Sequence, residues 1–150
     1  MSADTSTPSW ETTAAWIIAL FIAAIFALAA APKIAQPAAF AEAVFRYHLL
    51  PDSAINLFAV YMPWTEAVLA LALIAGARYR KGALLLAIAL LVVFIIAMSI
   101  NLYRGVDIAC GCFSVASTAE SMSWLNIARN IGLIALALLA WRWTPAQNAA

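Results

Sequence analysis

The chain has 150 residues, of which 67% are hydrophobic and 10% are charged, and its formal net charge is +1. A soluble domain is roughly half apolar and a quarter charged. These residues therefore cannot provide the polar surface of a soluble enzyme, a disordered chain or a secreted disulfide scaffold. The balanced charge also gives no basis for binding nucleic acid. We expect one integral membrane domain over residues 1–150.

Four stretches of the chain are long and apolar enough to cross a membrane. About 20 helical residues span the roughly 30 Å of hydrocarbon, and the candidate stretches lie at 14–31, 54–77, 82–101 and 122–143. Glu66 is the only charge in the second stretch, and Arg129 is the only charge between residues 121 and 141. Backbone N–H and C=O groups in lipid must be paired within the segment, so each stretch is expected to be a helix. The sequence thus predicts an all-α fold, an integral membrane four-helix bundle.

The loop between the first and second spans contains a further helical pattern at about residues 37–50. Prolines stand at its start and just beyond its end, positions that proline favours at helix boundaries. Phe40, Val44 and Tyr47 are spaced so that they fall on one helical face. We expect a short amphipathic helix that lies on the membrane surface or caps the bundle.

The basic residues indicate the orientation of the chain. One side of the predicted bundle carries four cations: Arg78, Arg80, Lys81 and Arg142. The other side carries three: Lys33, Arg46 and Arg104. Because cytoplasmic loops are enriched in Lys and Arg, the basic turn at residues 78–81 is expected to be cytoplasmic. This predicts a multi-pass protein of the bacterial inner membrane with both termini in the cytoplasm and the loops at 33–53 and 103–120 in the periplasm.

Two cysteines in the second outer loop are the candidate catalytic residues. Cys110 and Cys112 are separated by Gly111, so their thiols meet only if the chain turns sharply, which glycine permits. A disulfide in so small a ring is strained, and strain makes it a good oxidant. Thiol–disulfide exchange is the functional hypothesis. A static disulfide, which would add little stability, is one alternative, and Cu(I) binding by the two thiolates is another.

The sequence assigns no metal site, because nothing in it places further ligands beside the cysteines. His48 and three methionines are the candidate additional ligands for Cu(I): Met62, Met98 and Met122. His48 is otherwise a candidate proton carrier or an ordinary surface histidine. The cations near the outer loops, Lys33, Arg46 and Arg104, either lower the pKa of a thiol or anchor the helices at the membrane interface.

Glu66 and Arg129 are the most deeply buried charges in the predicted spans. Their distances from the outer ends of their spans differ by about 7 Å at about 1.5 Å per residue, which an arginine side chain can cover. They are expected either to form an ion pair that fixes the helix register or to line a polar pocket for a quinone or a proton path. Trp64 is a further candidate quinone contact. A quinone is the only cofactor that the sequence suggests.

Taken together, these residues resemble the membrane family named for the methylamine utilisation protein MauE, which is related to the DoxX group. The resemblance covers about residues 33–139. It is carried by Lys33, Pro37, Phe40, Tyr47-His48-Leu49-Leu50-Pro51, Pro63-Trp64-Thr65-Glu66, Cys110-Gly111-Cys112-Phe113 and Arg129. This chain departs from the family pattern at Ser114, where the family has glycine.

The resemblance implies a four-helix membrane protein associated with redox chemistry. The namesake assists maturation of methylamine dehydrogenase, and thioredoxin-like proteins accompany the family. The resulting hypothesis is that a periplasmic thioredoxin-like protein or a maturing secreted enzyme exchanges disulfides with Cys110 and Cys112, with electrons passing to a quinone near Glu66 and Arg129. Electron flow in the opposite direction is also compatible with these residues. A non-catalytic assembly factor at the membrane is the alternative from another class.

Overall fold

A computed structural model of the chain describes residues 9–105 and 123–144, and all the regular structure in this part is helical. The elements are α1 (Ser9–Ala35), α2 (Pro37–Arg46), α3 (Asp52–Ile74), α4 (Ala77–Tyr103) and α5 (Trp124–Trp143). All except α2 are long and apolar enough to cross a membrane. The predicted all-α architecture with four spans and a short helix in the first loop is confirmed.

The helices α1 and α4 continue beyond the charge-free stretches of the sequence. Helix α1 includes Lys33 in its last turn, and α4 begins at Ala77. The prediction that residues 78–81 form a turn is therefore wrong, because the chain reverses before them. Gly76 has a φ of 133°, a conformation that is readily available only to glycine. The basic residues after it belong to the first turns of α4.

Helix α2 ends at Arg46, earlier than the predicted end at residue 50. His48 adopts a φ of 48°, the left-handed conformation that commonly ends a helix. Its backbone N–H donates to the carbonyl of Phe45 over 3.0 Å, and the two rings meet edge to face with centroids 5.3 Å apart. The short helix therefore stops two residues before His48, and the following residues lead into α3.

Small residues dominate the contact between the long helices. Alanines at helix interfaces let backbones approach closely, which favours packing in a membrane where lipid offers no hydrophobic driving force. The core cluster comprises Ala19, Ile22, Ala23, Phe26, Leu69, Ala70, Leu73, Ala83, Leu84, Ala87, Leu91, Leu133, Ala137 and Ala140. Larger apolar side chains lie on the outside, and Leu28, Leu71 and Leu125 are 66%, 66% and 76% exposed. An apolar outer surface is what a bundle surrounded by lipid requires.

The two ends of the bundle differ in character. At one end, which we call the basic end, the ring of Trp10 meets that of Trp143 with centroids 5.5 Å apart, and Lys81 Nζ lies 5.6 Å from the ring centroid of Trp141. These contacts join the start of α1, the start of α4 and the end of α5.

The opposite end, which we call the α2 end, is covered by the short helix. Phe40 is buried against Ala59 and Met62 of α3, and Tyr47 packs against Met98 of α4 and Ile127 of α5. Helix α2 therefore caps the bundle, one of the two placements expected from its amphipathic pattern. The last turn of α4 and the first turn of α5 belong to this end. Cys110, Gly111, Cys112 and Phe113 follow α4 in the sequence and lie outside the described residues.

Candidate functional site

A buried ion pair joins α1 to α3. Lys33 Nζ donates to both carboxylate oxygens of Glu66, over 2.7 Å to Oε1 and 2.9 Å to Oε2. The exposed fractions of the two side chains are 2% and 1%. Charges inside a membrane bundle are costly unless they are paired and hydrogen-bonded. This pair satisfies both conditions, and it links two spans through two hydrogen bonds.

Aromatic rings surround the ammonium group of this pair. Lys33 Nζ lies 5.2 Å from the ring centroid of Phe40 and 5.5 Å from that of Phe94, distances at which a cation is attracted to the face of a ring. Phe40 belongs to α2 and Phe94 to α4. The lysine therefore contacts three helices besides its own, and it sits where α2 meets the bundle.

A small cavity of about 30 Å³ lies on one side of the ion pair. Polar side chains in its wall are those of Lys33, Glu66, Arg129 and Asn130, and the remaining lining is apolar. A cavity needs about 10–15 Å³ to hold a water molecule, so this one has room for bound water. Glu66 and Arg129 both line this cavity, but its size does not admit an organic ring, and a proton path through it stays a prediction.

Glu66 has an ion-pair partner that the sequence does not suggest. Its carboxylate is paired with Lys33, while Arg129, the predicted partner, contributes to the same cavity, and a Glu66–Arg129 pair stays a prediction. The sequence places Lys33 in an outer loop, away from the bundle interior. Helix α1 instead runs through Pro32 to Ala35 and carries Lys33 into the bundle.

A second cavity, which we call the aromatic cavity, lies on the other side of Lys33 and has a volume of about 170 Å³. It lies at the α2 end, and its wall comes from α2, α3 and α4, from Lys33 of α1 and from the segment between α2 and α3. Its lining is Lys33, Phe40, Ala43, Val44, Tyr47, Leu49, Leu50, Phe58, Val93, Phe94 and Ala97. Trp64, the predicted quinone contact, is 57% exposed on α3 and lines neither cavity. Lys33 and Phe94 contribute to the walls of both cavities.

Tyr47 brings a titratable group to the aromatic cavity. Burial raises the pKa of its hydroxyl from the ordinary value of 10.0 to about 12, because a phenolate loses hydration when it is taken out of water. The side chain packs against the cluster formed by Met98 and Ile127. Tyr47 is therefore a neutral hydroxyl at physiological pH.

We expect the ultraviolet titration of tyrosinate in the folded protein to contain one component near pH 12. Replacing Tyr47 with phenylalanine removes that component. The unfolded state loses the tyrosine proton first, so the stabilising contribution is complete below about pH 10 and declines as the pH rises towards 12. A high-pH component that survives Tyr47→Phe would contradict the assignment.

The other predicted supporting residues lie at the α2 end. His48 is exposed, and Arg46 pairs with Glu42 one turn earlier on the exposed face of α2. Arg104 is exposed at the end of α4. These positions put several cations at the end of the bundle from which residues 106–122 continue. Contacts of these cations with the cysteines stay predictions.

Two buried cations were not predicted, Lys33 in the site and Arg80 near the basic end, and the burial of Lys33 has a signal in the sequence. Ile22, Phe26, Ala29 and Lys33 are buried at helical spacing along α1, so the periodicity of the apolar face already extends to Lys33. Arg80 is the second of these cations. It is fully buried, its guanidinium lies 3.8 Å from the ring centroid of Trp16, and no described residue accepts a hydrogen bond from its three nitrogens.

The fold and this site define a helical membrane protein with four spans, a helix that caps one end and a buried ion pair beneath the cap. The family model described as "Methylamine utilisation protein MauE" matches residues 11–142, and the chain belongs to this MauE family. It is accordingly a multi-pass membrane protein.

Curated relatives agree with the family match. The chain is 36% identical over 132 residues to the methylamine utilization protein MauE of Paracoccus denitrificans, covering 87% of this chain and 70% of the relative. It is 39% identical over 134 residues to that of Paracoccus versutus (89% and 71%). For Methylophilus methylotrophus the identity is 32% over 129 residues (85% and 67%). No solved structure matches the chain.

Proposed function

We propose that this protein acts in methylamine utilisation as a membrane thiol–disulfide exchange protein, with Cys110 and Cys112 as the reacting pair. The observation that carries the proposal is the Cys-Gly-Cys sequence between two membrane helices, in a chain of the MauE family. Two thiols that close a very small ring form a disulfide that is readily reduced by another dithiol. Gly111 gives the turn its freedom, and Phe113 completes the family motif.

The proposed reaction transfers two electrons from a protein partner to the cysteine pair. A thiolate of the reduced partner attacks one sulfur of the Cys110–Cys112 disulfide, and a mixed disulfide forms while the other cysteine leaves as a thiolate. The second thiol of the partner then displaces the bound cysteine. The partner ends as a disulfide and this protein as a dithiol, so the partner is oxidised by two electrons. A membrane quinone reoxidises the dithiol and becomes a quinol.

The proposed partner is a periplasmic thioredoxin-like protein or a secreted enzyme that is acquiring its disulfides. The protein would lie in the bacterial inner membrane, with the basic end in the cytoplasm, because Arg78, Lys81 and Arg142 are concentrated there. The α2 end and the cysteines would then face the periplasm, a compartment in which disulfides persist. Lys33, Glu66 and Arg129 support the site by holding the capped end of the bundle together.

The test is to trap the mixed disulfide in cells. In the Cys110→Ser variant we expect Cys112 to capture a periplasmic protein that is recovered after an acid quench and alkylation, and that a reductant releases. The Cys110→Ser, Cys112→Ser double variant is the matched control and should capture nothing. After reduction, Cys112 should also react with a membrane-impermeant thiol reagent in intact spheroplasts. Absence of any adduct, or protection of Cys112 from the reagent, would contradict the proposal.

A further inference from the structure

We propose that the aromatic cavity binds the ring of a membrane quinone, with one quinone oxygen accepting a hydrogen bond from Lys33 Nζ. The inference rests on the proposed function, for which it supplies the site of the electron acceptor. It also moves that site from the neighbourhood of Trp64 and the small polar cavity, where the sequence suggested it, to the space between α2, α3 and α4.

The size and lining of the cavity suit one six-membered ring. Its volume is about 170 Å³, and an apolar protein cavity of about 150 Å³ is known to accept benzene. Phe40, Phe58 and Phe94 contribute rings to its wall, and aromatic rings pack favourably against one another in offset or edge-to-face arrangements. By contrast, the cavity beside Glu66 and Arg129 measures about 30 Å³, too small for any ring.

The polar groups in the wall distinguish a quinone from a lipid acyl chain. An ammonium group has three N–H donors, and Lys33 directs two of them to Glu66. No described residue accepts the third, and since Lys33 also lines the aromatic cavity, we infer that this donor serves a ligand there. A quinone oxygen accepts that hydrogen bond, whereas a hydrocarbon chain offers no acceptor. The hydroxyl of Tyr47, neutral at physiological pH, adds a second polar group to the same wall.

The proposed path for the isoprenoid tail runs past Val93. Val93 both lines the cavity and is 54% exposed on the outer surface of α4. Neighbouring side chains on that surface, such as Val92 and Ile96, are apolar and exposed. A ring can therefore occupy the cavity while its hydrocarbon tail leaves past Val93 into the lipid.

The chemistry balances with the dithiol as the electron donor. Oxidation of Cys110 and Cys112 breaks two S–H bonds, forms one S–S bond and releases two electrons and two protons. The quinone takes up both electrons and both protons at its two oxygens and becomes a quinol. The positive charge of Lys33 stabilises the negative charge that develops on the nearer oxygen before it is protonated.

Photolabelling of the full-length protein tests the inference. The probe is an azido-benzoquinone with a short alkyl tail, added to protein purified in detergent, and the labelled peptides are mapped by mass spectrometry. We expect labels on residues of α2 and α4 that line the aromatic cavity, and competition by an unlabelled alkyl-benzoquinone. Ala97→Phe fills the cavity and should weaken labelling at least about tenfold, a loss of about 1.4 kcal/mol in binding. Ala89→Phe, at an exposed position of the same helix, should leave labelling unchanged.

A second variant tests the inference independently, in case Ala97→Phe does not fold. Val93→Trp blocks the proposed tail path at a position already exposed to lipid, with Val92→Trp as its neighbour control, and only the former should reduce labelling. All labelling measurements are made in the Cys110→Ser, Cys112→Ser variant, so quinone binding is measured without the exchange reaction. Partner capture by Cys112 is measured separately, in the Cys110→Ser variant. Labelling outside the cavity, indifference to both blocking variants, or equal competition by a fatty acid would overturn the inference while leaving the exchange proposal standing.

Discussion

Replacing Lys33 with methionine is expected to lower the free energy of unfolding by about 3–5 kcal/mol, the usual effect of removing one partner of a buried ion pair. The carboxylate of Glu66 is 1% exposed and receives both of its described hydrogen bonds from Lys33. Methionine fills a similar volume but leaves the buried carboxylate without the ammonium group that donates to both of its oxygens. Thermal or denaturant unfolding in detergent micelles, followed by circular dichroism, measures the effect.

The double variant Lys33→Met, Glu66→Met tests the origin of that loss. Replacing both charges by apolar groups of similar volume is often neutral or stabilising, so we expect the double variant to recover most of the lost stability. Lys81→Met is the matched single control, because Lys81 makes one long contact with Trp141 at the basic end. A double variant that is as unstable as Lys33→Met would show that the loss comes from packing and not from an unpaired charge.

Loss of both cysteines is expected to abolish function completely. A Paracoccus denitrificans strain that lacks its own methylamine utilization protein MauE, supplied with this protein, provides the assay, with growth on methylamine as the readout. The Cys110→Ser, Cys112→Ser variant should fail to support growth although it accumulates in the membrane at the level of the unchanged protein. The physical reason is that serine hydroxyls form no disulfide and carry no electrons under these conditions.

The same assay separates catalysis from assembly. A protein that only holds a maturing enzyme at the membrane needs its helices and its surface, and it would support growth without either thiol. The matched control is Met62→Ser, which removes a sulfur from the buried cluster beneath α2 and leaves the cysteines untouched. Growth with the double cysteine variant would favour the assembly factor. Stoichiometric Cu(I) binding by the unchanged protein, absent from the double cysteine variant, would favour the copper alternative.

The positions of the helices could be predicted because the chemistry of lipid leaves few choices. A charge-free apolar stretch of sufficient length must form a helix, and the spacing of Phe40, Val44 and Tyr47 has no other simple explanation than a buried face of α2. The ends of α1 and α4 were predicted wrongly, because charged residues were taken to mark the ends of the membrane helices. Helix α1 passes Lys33 and α4 begins before Arg78, because a charge can remain inside a span when it is paired or stacked.

The pairing within the site could not be predicted from depth alone. Counting residues along a span gives the height of a side chain but not its direction around the helix axis, and the choice between Arg129 and Lys33 as the partner of Glu66 depends on direction. The aromatic cavity was also out of reach, because it arises between α2, α3 and α4. Its walls come from segments whose contact is decided by the way α2 folds back on the bundle.

The Lys33–Glu66 pair has a consequence for the order in which the protein enters the membrane. A single charge at the centre of a helix adds about 2.5–3.5 kcal/mol to the free energy of inserting that helix. Lys33 precedes Glu66 in the chain, so α1 and its cation are synthesised first. When α3 enters the membrane, the carboxylate of Glu66 can pair at once with Lys33. We therefore expect insertion of α3 to depend on α1, so that the first half of the chain inserts cooperatively.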